Sequence, residues 1–337
     1  MQKDPNRTAI PPAGLFPQGH SLPWSAGATP LMLAPMQGLT NRGLRALYAE
    51  RFRPDVLFTE FVRVKESSKK NISANDLLEV ASPDKGTPLV IQLIGHQLAA
   101  LLPAAETVQG LGVEHLNINL GCPYGRMSNN AAGGGLLRQP EQLADILRAL
   151  RQAARGGFSV KVRAGFDDPA QLFDLLPLFE ETGIDFLILH ARTVVQRYSG
   201  HADHRITAEV VSRTRLPVIA NGDIFSAAEG QRVLAETGAA GLMLGRGAMN
   251  DPWLFERIRG NRPPKPDTAT RQAELHEFLA ALFDRYQALF CGDHQILCKL
   301  KGVIAFIHDP EFARPLRKLL KSKSLEQFHE LLAGMAP

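Results

Sequence analysis

The chain has 337 residues, 45% of them hydrophobic and 21% charged, with a formal net charge of +4. These proportions exclude wholesale disorder, collagen and coiled coil, and they allow a large buried core. The three cysteines are too few and too scattered for a disulfide framework or a zinc site, and no apolar run is long enough to span a membrane. A cytoplasmic protein with no metal is therefore expected.

In chain order, residues 1–25 carry five prolines, lack the apolar stretch of a secretory signal and read as an extended leader. Short, nearly continuous apolar runs follow at 29–34, 55–60, 88–93, 114–119, 158–163, 185–190, 217–222 and 240–245. Such runs suit parallel strands covered on both faces. Their starts are about 30 residues apart, the length of one βα unit. Helix-periodic stretches lie between them, for example 140–155 and 227–238, the latter closed by Gly238. Eight such units predict a closed (β/α)8 TIM barrel over residues 26–260. The open doubly wound alternative wants a glycine fingerprint after its first strand, where this chain reads PMQGLTNRG. Residues 261–270, rich in proline, read as a linker. Residues 271–337 then form a small all-α bundle, opened by an amphipathic helix through Leu275, Phe278, Leu279, Leu282, Phe283, Tyr286 and Phe290.

Catalytic groups of such barrels sit at the C-terminal ends of the strands. There the chain places Glu60, Gln92, Asn119, Cys122, Lys161, Arg163, His190, Arg192, Asn221, Gly222, Asp223, Gly245 and Arg246. The small residues of ANGDI and LGRGAM, after the last two strands, let backbone N–H groups approach an anion, with Arg246 adding charge. Lys161 and Arg163 share a strand face. Lys161 is either a cation facing a bound ligand or a Schiff-base nucleophile. Cys122 lies just past a strand at the barrel mouth, where a thiol can deliver a proton near neutral pH. The small residues 129–135 after it suggest a mobile lid. Cys291 and Cys298, in an amphipathic region, are expected to be buried.

Taken together, APMQGLTNRGLR (34–45), TEF (59–61), IQLIG (91–95), NINLGCP (117–123), GGGLL (133–137), KVRAG (161–165), HART (190–193), NGDI (221–224) and GRGAM (245–249) resemble the dihydrouridine synthases, FMN-dependent enzymes that reduce uridine in tRNA. The resemblance implies that Pro35 and Met36 line the flavin ring and Gln92 bonds its polar edge. Lys161 and His190 would contact its N1–C2=O region, and Asn221, Gly222, Asp223, Gly245 and Arg246 would hold the ribityl chain and phosphate. Asn119, Arg163 and Tyr198 match positions that recognise the uracil, and Cys122 matches the general acid. By the same resemblance, NADPH reduces FMN, a hydride passes from flavin N5 to C6 of the uracil, and Cys122 protonates C5. The helical tail is where that family binds RNA. Here residues 299–323 hold seven basic side chains, Arg317 and Lys318 among them, against two acidic ones. Lys65, Lys69 and Lys70 suggest a second basic patch. TEFVRV (59–64) is closest to the branch that modifies position 16 of the tRNA D-loop, whereas YGRMSNNAAGGG departs from the family's usual loop after the cysteine. A monomer is expected. The rival readings are an FMN-dependent dihydropyrimidine or dihydroorotate oxidoreductase acting on free bases, and a Schiff-base lyase using Lys161.

Overall fold

The protein was analysed as a computed structural model that describes residues 22–66, 71–81, 86–123 and 132–337. Each apolar run of the sequence holds one strand. These are β1 (Leu31–Leu33), β2 (Val56–Phe58), β4 (Leu89–Ile94), β5 (His115–Leu120), β6 (Gly157–Arg163), β7 (Phe186–His190), β8 (Val218–Asn221) and β9 (Gly241–Leu244). All pair in parallel, and β1 pairs with both β2 and β9 while β2 pairs with β4, so the sheet closes. The expected TIM barrel is the fold. A two-residue strand, β3 (Val62–Arg63), lies outside the ring along the end of β4.

Alternation along the strands sorts side chains between two environments. Leu116, Ile118 and Leu120 of β5, and Phe158, Val160 and Val162 of β6, face the helices. The intervening residues point into the barrel, where Met32, Phe58, Val90, Phe186, Ile188, Ile219 and Met243 fill the lower part. Trp24 packs edge-on against Phe186, the first residue of β7, at 4.8 Å between ring centroids, so the segment before β1 plugs the N-terminal end. At the C-terminal end the inward positions turn polar, and the cavity opens there.

Local sequence explains the helix boundaries that matter to the site. Helix α1 (Arg42–Arg51) starts at Asn41, whose side chain accepts from the N–H groups of Gly43 and Leu44. Next come α2 (Ala74–Val80), α3 (Leu98–Gln109), a 3-10 helix (Gly133–Arg138), α4 (Pro140–Ala153), α5 (Ala170–Glu181) and α6 (His204–Arg213). Helix α7 (Ala227–Thr237) ends on Gly238 in the left-handed conformation, as its sequence signal required. The barrel ends with α8 (Arg246–Asn250) and α9 (Leu254–Ile258).

The tail forms four helices, α10 (Thr268–Leu289), α11 (Asp293–Ile304), α12 (Ala313–Lys321) and α13 (Leu325–Ala333). Their apolar faces join the outer barrel in one continuous core. Phe278 of α10 packs against Tyr48 of α1 and Phe52 just after it, and the Tyr286 hydroxyl accepts a 3.0 Å bond from the Asn41 cap. The proline-rich segment is tied down as well: the Pro263 carbonyl accepts from Arg257, and Arg262 stacks on Trp253 and pairs with Glu274.

One expectation is corrected by the structure. Cys291 and Cys298 are exposed rather than buried. The buried face of α11 is Ile296, Leu297, Leu300, Val303 and Ile304, and Cys298, one position past Leu297, is turned outward beside His294. Of the expected lid, Gly133, Gly134 and Gly135 are buried in the 3-10 helix. A Cβ on Gly134 would stand 2.5 Å from Val194, and one on Gly133 would stand 3.1 Å from the Cβ of Cys122, so these glycines permit close packing. Residues 129–131 of that expected lid, and Lys69 and Lys70 of the second basic patch, lie outside the described residues. Lys65 is exposed. Among the described residues, no helix is long and apolar enough to cross a membrane.

Candidate active site

A cavity of about 550 Å³ lies at the C-terminal mouth, a size ordinary for a small-molecule or cofactor site. Pro35, Met36, Asn119, Cys122, Lys161, Arg163, His190, Tyr198, Asn221, Gly222, Asp223, Gly245 and Arg246 all line it, so the geometry brings together almost every residue expected from the sequence. Three of the strand-end candidates do not line it: Gln92 is wholly buried beneath the cavity, Arg192 is buried against Asp223, and Glu60 accepts from the Gly38 N–H. Arg317 and Lys318 lie apart from it, exposed on α12.

The floor is cationic. Lys161 and Arg163 occupy consecutive inward positions of β6. The Lys161 ammonium donates to Asn221 Oδ1 at 3.1 Å, and Asn221 in turn donates to the Met243 carbonyl. Burial, aided by the charge of Arg163, pushes the lysine down to about 7. His190 is held well below its usual range by burial and by the charges of Lys161, Arg163, Arg192 and Arg246, so its ring is neutral at physiological pH. Gly222 has to be glycine: its φ is +121°, and a Cβ would stand 2.8 Å from His190.

One wall is an ion cluster. Arg192 grips Asp223 with two bonds, at 2.6 and 3.0 Å, and Arg246 reaches the same carboxylate at 2.8 Å. The Ala202 N–H completes the set. Burial alone would raise the Asp223 carboxyl, but these bonds and charges hold it below its usual range. Both of its oxygens are thus engaged by the protein, and it holds Arg246 in place. Arg246 also lies between the rings of Tyr198 and Phe225, at 4.9 and 5.5 Å from their centroids. The turns after β8 and β9 fit closely because Gly247 lacks a side chain; a Cβ there would run into the Ile224 carbonyl.

The opposite wall carries the thiol. Asn119 Oδ1 accepts from the backbone N–H groups of Gly121 and Cys122, at 3.0 and 2.9 Å. Arg163 Nε donates to the Gly121 carbonyl at 2.8 Å, and its other donors reach the carbonyls of Thr193 and Arg197. The peptide that carries Cys122 is therefore gripped on both edges. Gln92 lies below, taking a bond from Asn119 and giving one to Asn117.

A family model described as dihydrouridine synthase (Dus) matches residues 32–324. The chain belongs to the dihydrouridine synthase family. A probable tRNA-dihydrouridine synthase of Rhodobacter capsulatus is 33% identical to this synthase over 77% of the chain and 79% of the relative. The tRNA-dihydrouridine(16) synthase of Haemophilus influenzae is 35% identical over 70% and 78%, and the tRNA-dihydrouridine synthase B of Pseudomonas aeruginosa 33% over 75% and 77%. The barrel also superposes on histamine dehydrogenase from Rhizobium sp. 4-9, with a TM-score of 0.56 at 12% identity, over 76% of this chain and 48% of that one. That likeness is one of fold. The synthase is an oxidoreductase, since turning uridine into dihydrouridine reduces a carbon–carbon double bond.

Arg192, a strand-end candidate in the sequence, is paired with Asp223 by the fold. Other residues enter the site without a clear sequence signal. Phe306, just past α11, lines the mouth, so the bundle supplies part of the cavity wall. Asn117 and Ser159 sit behind Gln92; their trace in the sequence is a polar residue at an inward strand position, two before Asn119 and Lys161 respectively.

Proposed function

We propose that this synthase reduces a uridine of the tRNA D-loop to 5,6-dihydrouridine, using FMN and NADPH, with Cys122 as the proton donor. The observation that carries the reading is a cysteine fixed at the edge of a cavity whose floor holds a buried cation. The lining suits FMN. A Cβ on Gly245 would stand in van der Waals contact with Ala34 and the Met36 sulfur, each 3.5 Å away, so an apolar surface borders the polar wall. Lys161 has a neutral partner, Asn221, so its charge is available to an electron-rich ligand. Pro35 and Met36 would pack on the flavin ring, and Lys161 and His190 would meet its N1–C2=O edge. Asn221, Gly222, Gly245 and Arg246 would hold the ribityl phosphate, with Asp223 orienting Arg246. When bound, FMN supplies the two-electron step, a hydride replenished from NADPH.

The chain's own residues do the remainder. Lys161 balances negative charge in the cavity, and its lowered affinity for a proton lets it exchange one near neutral pH. Cys122 delivers a proton to C5 as C6 gains the hydride, so that the double bond takes up H⁻ and H⁺ in all. Asn119, Arg163 and Tyr198 border the place where the uracil ring would lie. The base must leave its stack to arrive there, and affinity for the surrounding RNA comes from exposed cations such as Arg317 and Lys318. A reductase of free pyrimidines would have no use for that basic face. TEFVRV and the relatedness to a (16) synthase support position 16.

The test is to map dihydrouridine in tRNA and ribosomal RNA from a strain lacking the gene. The expected result is loss at tRNA position 16, restored by the wild-type gene, with ribosomal RNA unchanged. A full complement of tRNA dihydrouridine in the deletion strain, or a purified protein that is colourless and takes up no FMN, would overturn the proposal.

A further inference from the structure

The polar side chains beneath Cys122 form a single directed chain. The Cys122 N–H donates to Asn119 Oδ1, and Asn119 Nδ2 donates to Gln92 Oε1 at 2.7 Å. Gln92 Nε2 donates to Asn117 Oδ1 at 2.8 Å, and Asn117 Nδ2 donates to Ser159 Oγ at 2.8 Å. The Ser159 hydroxyl then donates to the Leu116 carbonyl. Every member accepts from the one above and donates to the one below. Strand register builds this arrangement: Gln92, Asn117 and Ser159 are direct neighbours across β4, β5 and β6, and Asn119 stands one pleat nearer the mouth.

The two ends have fixed polarity, because a peptide N–H only donates and a carbonyl only accepts. The three amides between them are thereby locked. A primary amide can turn over by 180° with little change of shape, and only its partners decide which end is oxygen. Reversing Asn117 would set its NH2 against that of Gln92, and the mismatch would pass to Asn119 and release the N–H of Cys122. Gln92 and Ser159 are fully buried and Asn117 is 1% exposed, so no solvent is at hand to repair the break.

We infer that Asn117 and Ser159 are positioning residues for the proton donor: they act on Cys122 through Gln92 and Asn119 without touching the cavity. This rests on Cys122 being the acid, and the experiment separates the two claims. In the flavin-loaded protein, Ser159→Ala removes the lowest link with little change of volume, and Asn117→Leu removes a middle one. Three quantities are measured: the rate of Cys122 alkylation by iodoacetamide, in a background where Cys291 and Cys298 are serine; NADPH oxidation by the bound flavin; and kcat and KM for tRNA reduction. Ser159→Ala should change the alkylation rate and lower kcat about five-fold, the scale of one lost buried hydrogen bond. KM for tRNA, flavin content and NADPH oxidation should hold. A general loss of packing would lower flavin content and NADPH oxidation together with kcat, and that pattern would overturn the inference. So would wild-type alkylation and turnover in Ser159→Ala, which decides the matter alone if Asn117→Leu does not fold. Failure of the acid assignment looks different, since Cys122→Ala would then keep its dihydrouridine yield.

Discussion

The barrel mouth and the helical bundle both carry excess positive charge, but they hold it differently. Among the described residues, the cations at the mouth have fixed partners within the protein: Arg192 and Arg246 on Asp223, Arg163 on three carbonyls, Lys161 on Asn221. On the bundle, Arg314, Arg317, Lys318 and Lys321 lie at helical spacing on one exposed face of α12. The acids of that stretch are engaged elsewhere, Asp309 by Arg271 and the exposed Glu311 by the Thr268 hydroxyl. Buried charge in fixed geometry acts strongly over a few ångströms, whereas exposed charge acts as a sum that salt screens. The first arrangement suits chemistry on one ring and the second suits holding a polyanion.

The sharpest way to break this division is to separate the two regions. Deleting residues 261–337 should not leave a working barrel. Tyr48, Phe52 and Leu39 would lose their cover, at about 1.5–3 kcal/mol each, and Asn41 would lose Tyr286. Against a typical total stability of about 5–15 kcal/mol, the expected outcome is an insoluble or unfolded chain by circular dichroism. A soluble, flavin-loaded barrel would show that the regions are separable after all. Next in size is Cys122→Ala. Loss of a general acid should lower dihydrouridine formation by about 10²–10⁴-fold while NADPH oxidation by the bound flavin continues. A parallel loss of both activities would mean that Cys122 shapes the cavity instead.

The two regions are also unequally legible in the sequence. Strand alternation exposes the barrel, and the inward positions near the strand ends point to Asn119, Lys161, Arg163, His190 and Asn221 from the residue pattern alone. Periodicity gives the bundle's helices but not their seat, because an apolar stripe says that a face is covered and not what covers it. Hence a segment that reads as a linker is pinned by Arg257, and Cys298, about 100° round the helix from Leu297, points to solvent. Gln92 shows a further limit. Its strand and its inward direction are readable, but its depth is not, since that depends on the stagger between neighbouring strands. The glycines at 133–135 are ambiguous in principle, as small residues permit motion and close packing alike.

Lys161 offers a test in which function and stability oppose each other. The unfolded chain holds this proton up to about pH 10.4, the folded chain only to about 7. Through that window the unfolded state binds more protons, so the group's contribution makes stability rise with pH, and its cost is largest below about 7. Lys161→Met should therefore stabilise the flavin-free protein, seen as a higher melting temperature, by on the order of a few kcal/mol at pH 6, a gain that fades toward pH 10. The same change should weaken flavin retention. Loss of stability at pH 6 would mean that the ammonium is better solvated in the folded cavity than its burial implies.

The smallest expected effect is on the bundle, and it is diagnostic through its salt dependence. Reversing Arg317 and Lys318 together to Glu removes two exposed cations from a face that makes no contact with the cavity. Flavin content and NADPH oxidation should not change. Affinity for tRNA should fall about ten-fold at low salt, and the slope of log K against log salt should shrink by about one to two, because each phosphate contact releases roughly 0.7–0.9 of a counterion. The slope is the better discriminator. Lost affinity at an unchanged slope would mean that these side chains shape the bundle without meeting phosphate. A shallower slope with intact flavin chemistry would assign the polyanion to α12 and leave the ring chemistry at the mouth.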